Sequence, residues 1–166
     1  MVEVYADADY VELSLNGKTI GRKKIKDCKA AFKLKYAPGK LTAVAYDEHD
    51  QPVGDDELIS ATGEINPVIT CEKQTVKPGE VFCADISLRD EKGTVESSTD
   101  EKLTVTVEGG KLLGFGSANP RTEERFDSGS YTTYYGKTMA VVRAGNTGSV
   151  TVNVSSGNSI LVPIEK

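Results

Sequence analysis

Apolar and polar residues alternate with a period of two through most of the chain. Between Tyr10 and Leu15, Val11, Leu13 and Leu15 fall on one side and Glu12 and Ser14 on the other, the spacing of a strand with one buried face. Asn16-Gly17 follows at once and Thr19-Ile20 resumes the apolar pattern. A hairpin is expected there, because both turn residues accept positive φ at low cost. Phe32, Leu34 and Tyr36 alternate next and stop at Pro38-Gly39, where Pro presets φ and Gly supplies freedom. Leu41 to Tyr46 reads as a further strand, Asp47-Glu48-His49-Asp50 as a polar turn, and Glu57 to Thr62 as a last strand before Gly63.

A second series begins near Asn66-Pro67. Val68-Ile69-Thr70 reads as its first strand, and Lys77-Pro78-Gly79-Glu80 as a turn into a strand with Phe82, Ala84, Ile86 and Leu88 on one face. Asp90 to Gly93 is another turn. Leu103, Val105 and Val107 form the next inward row, ended by Gly109-Gly110, and Leu112 to Phe115 is a short apolar run. Gly116 to Ser130, rich in Gly, Ser, Asn, Pro and charge, reads as a long loop. Thr138–Ala144, Ser149–Val154 and Ile160–Val162 complete the pattern. No segment carries a helical repeat. Short strands at about 8–12 residue spacing, separated by turn chemistry, define an all-β fold of two Ig-like β-sandwich domains in tandem, residues 1–62 and 63–166. The first is short for such a sandwich and opens directly in Val2-Glu3-Val4-Tyr5, so it is expected to be N-terminally incomplete.

Composition narrows the function. The 166 residues carry a net charge of −5, spread over both halves. Without a basic stripe, a nucleic-acid partner has no electrostatic footprint. The cluster Arg22, Lys23, Lys24 and Lys26 reads as a solvated edge strand, where lysine blocks pairing with other sheets. There is no run of about 18 apolar residues to form a spanning helix, and no membrane partner is expected. The three cysteines, Cys28, Cys71 and Cys83, exclude a complete disulfide framework. Cys71 and Cys83 flank a turn and are placed to face each other, but free thiols are the expected state. The sequon Asn153-Val154-Ser155 lies inside a strand pattern and reads as accidental.

No reactive constellation emerges. Hydrolysis by a pair of carboxyl groups, one acting as acid/base and one as nucleophile, needs the two about 5–5.5 Å apart. The acidic runs here, Asp55-Asp56-Glu57, Asp90-Glu91, Asp100-Glu101 and Glu123-Glu124, sit in turns or loops where solvated charge is the ordinary explanation. The single histidine, His49, lies in a turn, and with three scattered cysteines it makes no zinc set. Asp7 and Asp9, or Asp47, Glu48 and Asp50, offer oxygen ligands but lack the spacing of a twelve-residue calcium loop. No cofactor is expected and no metal site is assigned.

With these residues in view, the chain resembles family 2 glycoside hydrolases of the β-galactosidase type. Val4 to Lys18, reading VYADADYVELSLNGK, is similar to a V-Y-S-N-A-D-x-V-E-L-F-L-N-G-K segment of that family. The likeness continues through Tyr36–Leu41 and Ala43–Asp47, then in Val81–Gly93, Gly114–Pro120 and Tyr135–Ala144. It covers nearly the whole chain. The resemblance implies a larger parent enzyme whose catalytic glutamates belong to a (β/α)₈ barrel. None of the barrel is present here, so no catalytic residue is carried over. It further implies a non-catalytic C-terminal accessory region, packed against the remaining domains of the parent glycosidase, and, by analogy, an extracytoplasmic bacterial setting.

The alternative function is carbohydrate binding that recruits the enzyme to polysaccharide. Pyranose rings stack on flat aromatic side chains, and without Trp the available platform is Tyr131, Tyr134 and Tyr135. Tyr131 and Tyr135, four apart, are expected on one face of a strand with Tyr134 on the other. Asn119, Arg121 and Glu123 in the preceding loop are the further candidates for sugar or interdomain contact, because long loops in compact domains often carry function.

Overall fold

The computed structural model describes residues 1–165; Lys166, the last residue expected in the second sandwich, lies outside the described residues. All regular structure among them is β, in two compact units, Met1–Thr62 and Gly63–Lys166.

The first unit is built from alternating strands whose inner rows meet across two layers. A two-stranded sheet pairs β1 (Val2–Tyr5) with β4 (Lys29–Phe32). It faces a four-stranded antiparallel sheet ordered β3 (Lys18–Lys24), β2 (Tyr10–Leu15), β5 (Lys40–Tyr46), β6 (Pro52–Ile59). The expected inner row of β2 holds: Val11 and Leu13 are buried with Ile25, Ala30 and Phe32. Each such large side chain contributes roughly 1.5–3 kcal/mol.

The two expected turns are one device. Asn16 and Gly17 both take positive φ, 51° and 77°. The Asn16 N–H donates to the Lys40 carbonyl at 2.8 Å, and its side-chain Oδ1 accepts from the Lys40 N–H at 2.8 Å. Its Nδ2 donates to the Pro38 carbonyl at 3.3 Å. A Cβ on Gly39 would overlap the Asn16 amide, so glycine is needed there for space as well as for its φ of 137°.

Three expectations are corrected in this unit. Ile20 does not continue an inner row: the β2–β3 register shifts beside it, and it is left partly exposed. The Phe32-Leu34-Tyr36 run is strand only as far as Phe32; Tyr36 is exposed and donates to Ser60 Oγ at 3.3 Å. The last strand begins at Pro52, not Glu57, and ends at Ile59. Asp47 Oδ1 accepts from the His49 and Gln51 N–H groups at 2.9 and 2.8 Å. That closes the turn early, and the chain returns as an edge strand whose acidic residues resemble a loop in sequence.

The second unit is a sandwich of two four-stranded antiparallel sheets. One is ordered β10 (Gly110–Gly116), β12 (Lys137–Ala144), β8 (Val81–Arg89), β7 (Asn66–Thr70). The other is ordered β11 (Ser130–Thr132), β9 (Lys102–Glu108), β13 (Ser149–Val154), β14 (Ser159–Pro163). Phe82, Ala84, Ile86 and Leu88 share the inner face as expected, packed with Leu103, Val105, Val142, Val150 and Val152. All three cysteines are free. Cys71 packs at the rim of this core, whereas Cys83 alternates outward between buried Phe82 and Ala84, so the two thiols do not face each other.

Asn16→Ala is expected to destabilise the first unit by about 1–3 kcal/mol, since it removes two side-chain hydrogen bonds and leaves a non-glycine residue at positive φ. Denaturant-dependent amide exchange in β2 and β5 measures it, with exchange in the second unit unchanged.

Candidate functional site

The middle of strand β12, Met139 to Val142, is apolar on both faces. Thr138, Ala140 and Val142 point inward and are buried, while Met139 and Val141 point outward. The outward neighbours on β10 are Gly114, paired with Val141, and Gly116, paired with Met139. Small residues beside large ones leave a groove of about 920 Å³ on the outer face of the sheet. Phe126, Val95, Tyr134 and Tyr135 border it, with Asp85 and Lys137 as its charged members and Ser97, Ser117 and Thr138 as polar ones.

One wall comes from the loop after β10. The Phe115 N–H donates to the Phe126 carbonyl at 2.8 Å, and the Phe126 ring fills the space that a Gly116 Cβ would take. The ring also stacks on Tyr131, centroids 5.2 Å apart and planes 13° from parallel. Glu124 ties the same loop down: Oε1 accepts from the Thr132 hydroxyl at 3.0 Å and Oε2 from the Thr132 N–H at 3.2 Å. Burial pushes the Glu124 carboxyl pKa up, but the Thr132 bonds and the nearby Lys102 charge pull it down further, leaving it below the usual glutamate range.

The other wall is a two-residue turn. Tyr134 and Lys137 exchange backbone hydrogen bonds of 2.9 and 3.2 Å around Tyr135 and Gly136, at φ of 50° and 69°. A bulky residue in the left-handed region is strained. The turn is braced by its surroundings. The Gly136 N–H donates to Asp100 Oδ1 at 3.0 Å, its carbonyl accepts from the Leu88 N–H at 2.8 Å, and any Cβ there would strike the Glu96 carbonyl. Buried Thr133 also donates to Asp100 at 3.0 Å and accepts from the Glu101 N–H at 2.9 Å. The turn thereby holds Tyr135 60% exposed, its ring tilted 55° against Tyr134 at 4.5 Å. The Tyr135 hydroxyl beside it pushes the Tyr134 phenol above its ordinary pKa.

The sequence-predicted residues divide accordingly. Tyr134 and Tyr135 line the groove. Tyr131 is corrected: β11 ends at Thr132, so it does not share a strand face with Tyr135, and it is fully buried. A ring with no exposed face cannot stack on a sugar. Asn119 Oδ1 accepts from the Arg121 N–H at 2.9 Å, a bond that shapes its own loop, and Arg121 and Glu123 are exposed. None of these three lines the groove. The sequence reading missed Met139, Val141, Gly114 and Gly116. The signal was present in the unbroken apolar run of β12, the mark of a strand to be covered on both faces. Among the described residues no group of three or more His, Cys, Asp or Glu is placed to hold a metal ion.

Residues 68–159 match the family model described as glycoside hydrolase family 2 C-terminal domain 5, and residues 1–54 match a domain of unknown function (DUF4982). The chain therefore belongs to the family of C-terminal β-domains of family 2 glycoside hydrolases. It is 30% identical over 144 residues to β-galactosidase BoGH2A of Bacteroides ovatus, a match that covers 84% of this chain and 17% of that protein. The fold superposes on a family 2 glycosyl hydrolase from Bacteroides cellulosilyticus with TM-score 0.83 and 27% identity, over 96% of this chain and 23% of that one. A β-glycosidase from Bacteroides vulgatus shares the fold, with TM-score 0.73 and 23% identity, over 95% of this chain and 21% of that one. The chain thus spans about a sixth to a quarter of the length of these relatives.

Two outcomes are expected at this site. The Tyr131 hydroxyl is buried without a hydrogen-bond partner among the described residues. Tyr131→Phe should therefore leave the melting temperature unchanged or raise it, whereas Tyr131→Ala should cost about 3–5 kcal/mol, both read by calorimetry. Because the folded pKa of Glu124 lies below its unfolded value, its contribution is complete above that unfolded value and is lost as pH falls through the folded one. The protection factor of the Thr132 amide should fall in that acidic window, and Glu124→Gln should remove the pH dependence.

Proposed function

We propose that this chain is the non-catalytic accessory region of a β-galactosidase-like glycoside hydrolase and acts as a scaffold that packs against the enzyme's other domains. The observation that carries the reading is the apolar groove on the outer face of β10 and β12. Phe126 is 59% exposed and Met139 and Tyr135 stand beside it, on a sheet face that water would otherwise wet. Exposed apolar patches of this kind mark contact surfaces. Family membership supports the setting, since the relatives named above are glycosidases several times longer than this chain.

A second reading rests on one observation of its own. Tyr135 is held exposed in a strained conformation by a turn braced at Gly136 and Asp100, and strain of this sort gathers at functional sites. In this reading the Tyr134–Tyr135 pair stacks on a pyranose ring, and the chain recruits its enzyme to an oligosaccharide.

The first reading predicts that Met139→Lys, at a position that faces Asp85 across the sheet, leaves the melting temperature of the isolated chain within about 1 °C but lowers that of the full-length enzyme, since this side chain lies outside the core. An unchanged full-length enzyme would remove the groove from domain packing. The second reading predicts millimolar or tighter binding of β-linked galacto-oligosaccharide to the isolated chain in calorimetric titration, abolished by Tyr135→Ala.

A further inference from the structure

The two layers of the first unit differ in width, with two strands facing four. The flank beside β3 is bridged by a lysine, above a groove of about 330 Å³ lined by Ile20, Gly21, Ala31 and Phe32. On β3 the inward positions are Gly21 and Lys23, opposite Leu13 and Val11. Lys23 lays its stem across Phe32, Nζ 5.2 Å from the ring centroid, and donates to the Ala31 carbonyl at 2.6 Å. A snorkelling lysine thus ties β3 to β4 by satisfying a carbonyl of β4.

On the opposite flank no such bridge from β6 to β1 is found among the described residues. On β6 the inward positions are Leu58 and Asp56, opposite Leu41 and Ala43, which pack on the core. Leu58 nevertheless remains 67% exposed. Adjoining grooves of about 250 and 270 Å³ run between β1 and the β5–β6 pair, and buried Leu13 and Val11 reach their floors. Among the described residues strand β1 pairs with β4 alone, so its other edge presents a row of unpaired backbone groups to the same space.

These features specify what fits. The free edge of β1 calls for an extended backbone at strand spacing of about 4.8 Å. The floor calls for an apolar side chain at every second residue. The rim is acidic. Lys29 neutralises Glu3 at 2.5 Å and Lys40 pairs with Glu57, while among the described residues no cation is paired with Asp55 or Asp56. The relatives extend far beyond the matched region, so a longer polypeptide has chain to supply.

We propose that a further β-strand of the parent polypeptide adds to the free edge of β1, covers Leu58 with alternating apolar side chains and presents a Lys or Arg to Asp56. This rests on the reading of the chain as part of a longer glycosidase and names a second contact surface, separate from the groove on β12.

The test compares the isolated chain with the full-length enzyme, using Leu58→Cys in each and N-ethylmaleimide as the probe, read by peptide mass mapping so that the native thiols Cys28, Cys71 and Cys83 are resolved separately. Amide exchange over residues 2–5 is followed in parallel. The expected result is labelling of the introduced thiol and exchange of the β1 amides each at least 10-fold slower in the full-length enzyme. Leu58→Lys should leave the isolated chain's melting temperature unchanged and lower that of the enzyme. Equal labelling in both proteins would overturn the proposal. Slow labelling without β1 protection would overturn strand addition and leave packing by another surface. Concentration-dependent protection in the isolated chain, with a dimer in light scattering, would assign the edge to a second copy instead. Slowed labelling of a parallel Met139→Cys variant in the full-length enzyme, with none at Leu58→Cys, would leave the scaffold reading standing and remove this one.

Discussion

A β-strand has two faces, and each apolar face must meet something other than water. That single requirement organises the molecule. Within each unit it pairs the inner rows of two sheets, Val11 and Leu13 with Phe32 in the first, Phe82 to Leu88 with Leu103, Val105 and Val152 in the second. Hydrogen bonding sets strand direction and register, but burial decides which row points inward, because a one-residue slip would turn each row to solvent. The same requirement makes the outer face of β12 and the inner face of β6 informative. In both places apolar side chains obey the alternation and still lack a cover.

Much of the structure serves to hold those surfaces still. The loop after β10 runs for more than ten residues, yet Glu124 fastens it to β11 and Phe126 to β10. The Tyr134–Lys137 turn is gripped from two directions, through Asp100 and through Leu88. Surfaces preorganised in this way lose little conformational entropy when they are covered. Flexible segments of the same composition would forfeit part of that contact to ordering.

The fold is largely legible in the sequence because its signals are local. Alternation places the inner rows, and Asn-Gly and Pro-Gly place two turns. What escapes depends on distant contacts. Ile20 is displaced by a register shift that no short window reveals, and β6 begins early because the Asp47 side chain closes the preceding turn. Tyr131 reads as a platform because its spacing from Tyr135 fits a continuous strand; a three-residue β11 followed by a tight turn breaks that continuity. The groove itself is half visible. The two-sided apolar run of β12 announces a second cover, but the glycine pair that hollows the surface lies on another strand. It becomes meaningful only once Gly116 is seen opposite Met139.

The Asn16 amide occupies the volume that any side chain at position 39 would need, while bonding to the backbone on both sides of that glycine. The β2–β3 connection and the crossing into β5 are therefore one mechanical joint. A lengthened connection at either point would unseat the other, so insertions in related chains should collect at the Asp47–Gln51 bend, whose backbone is closed by its own aspartate and which is tied to β3 through the exposed Arg22–Asp50 pair.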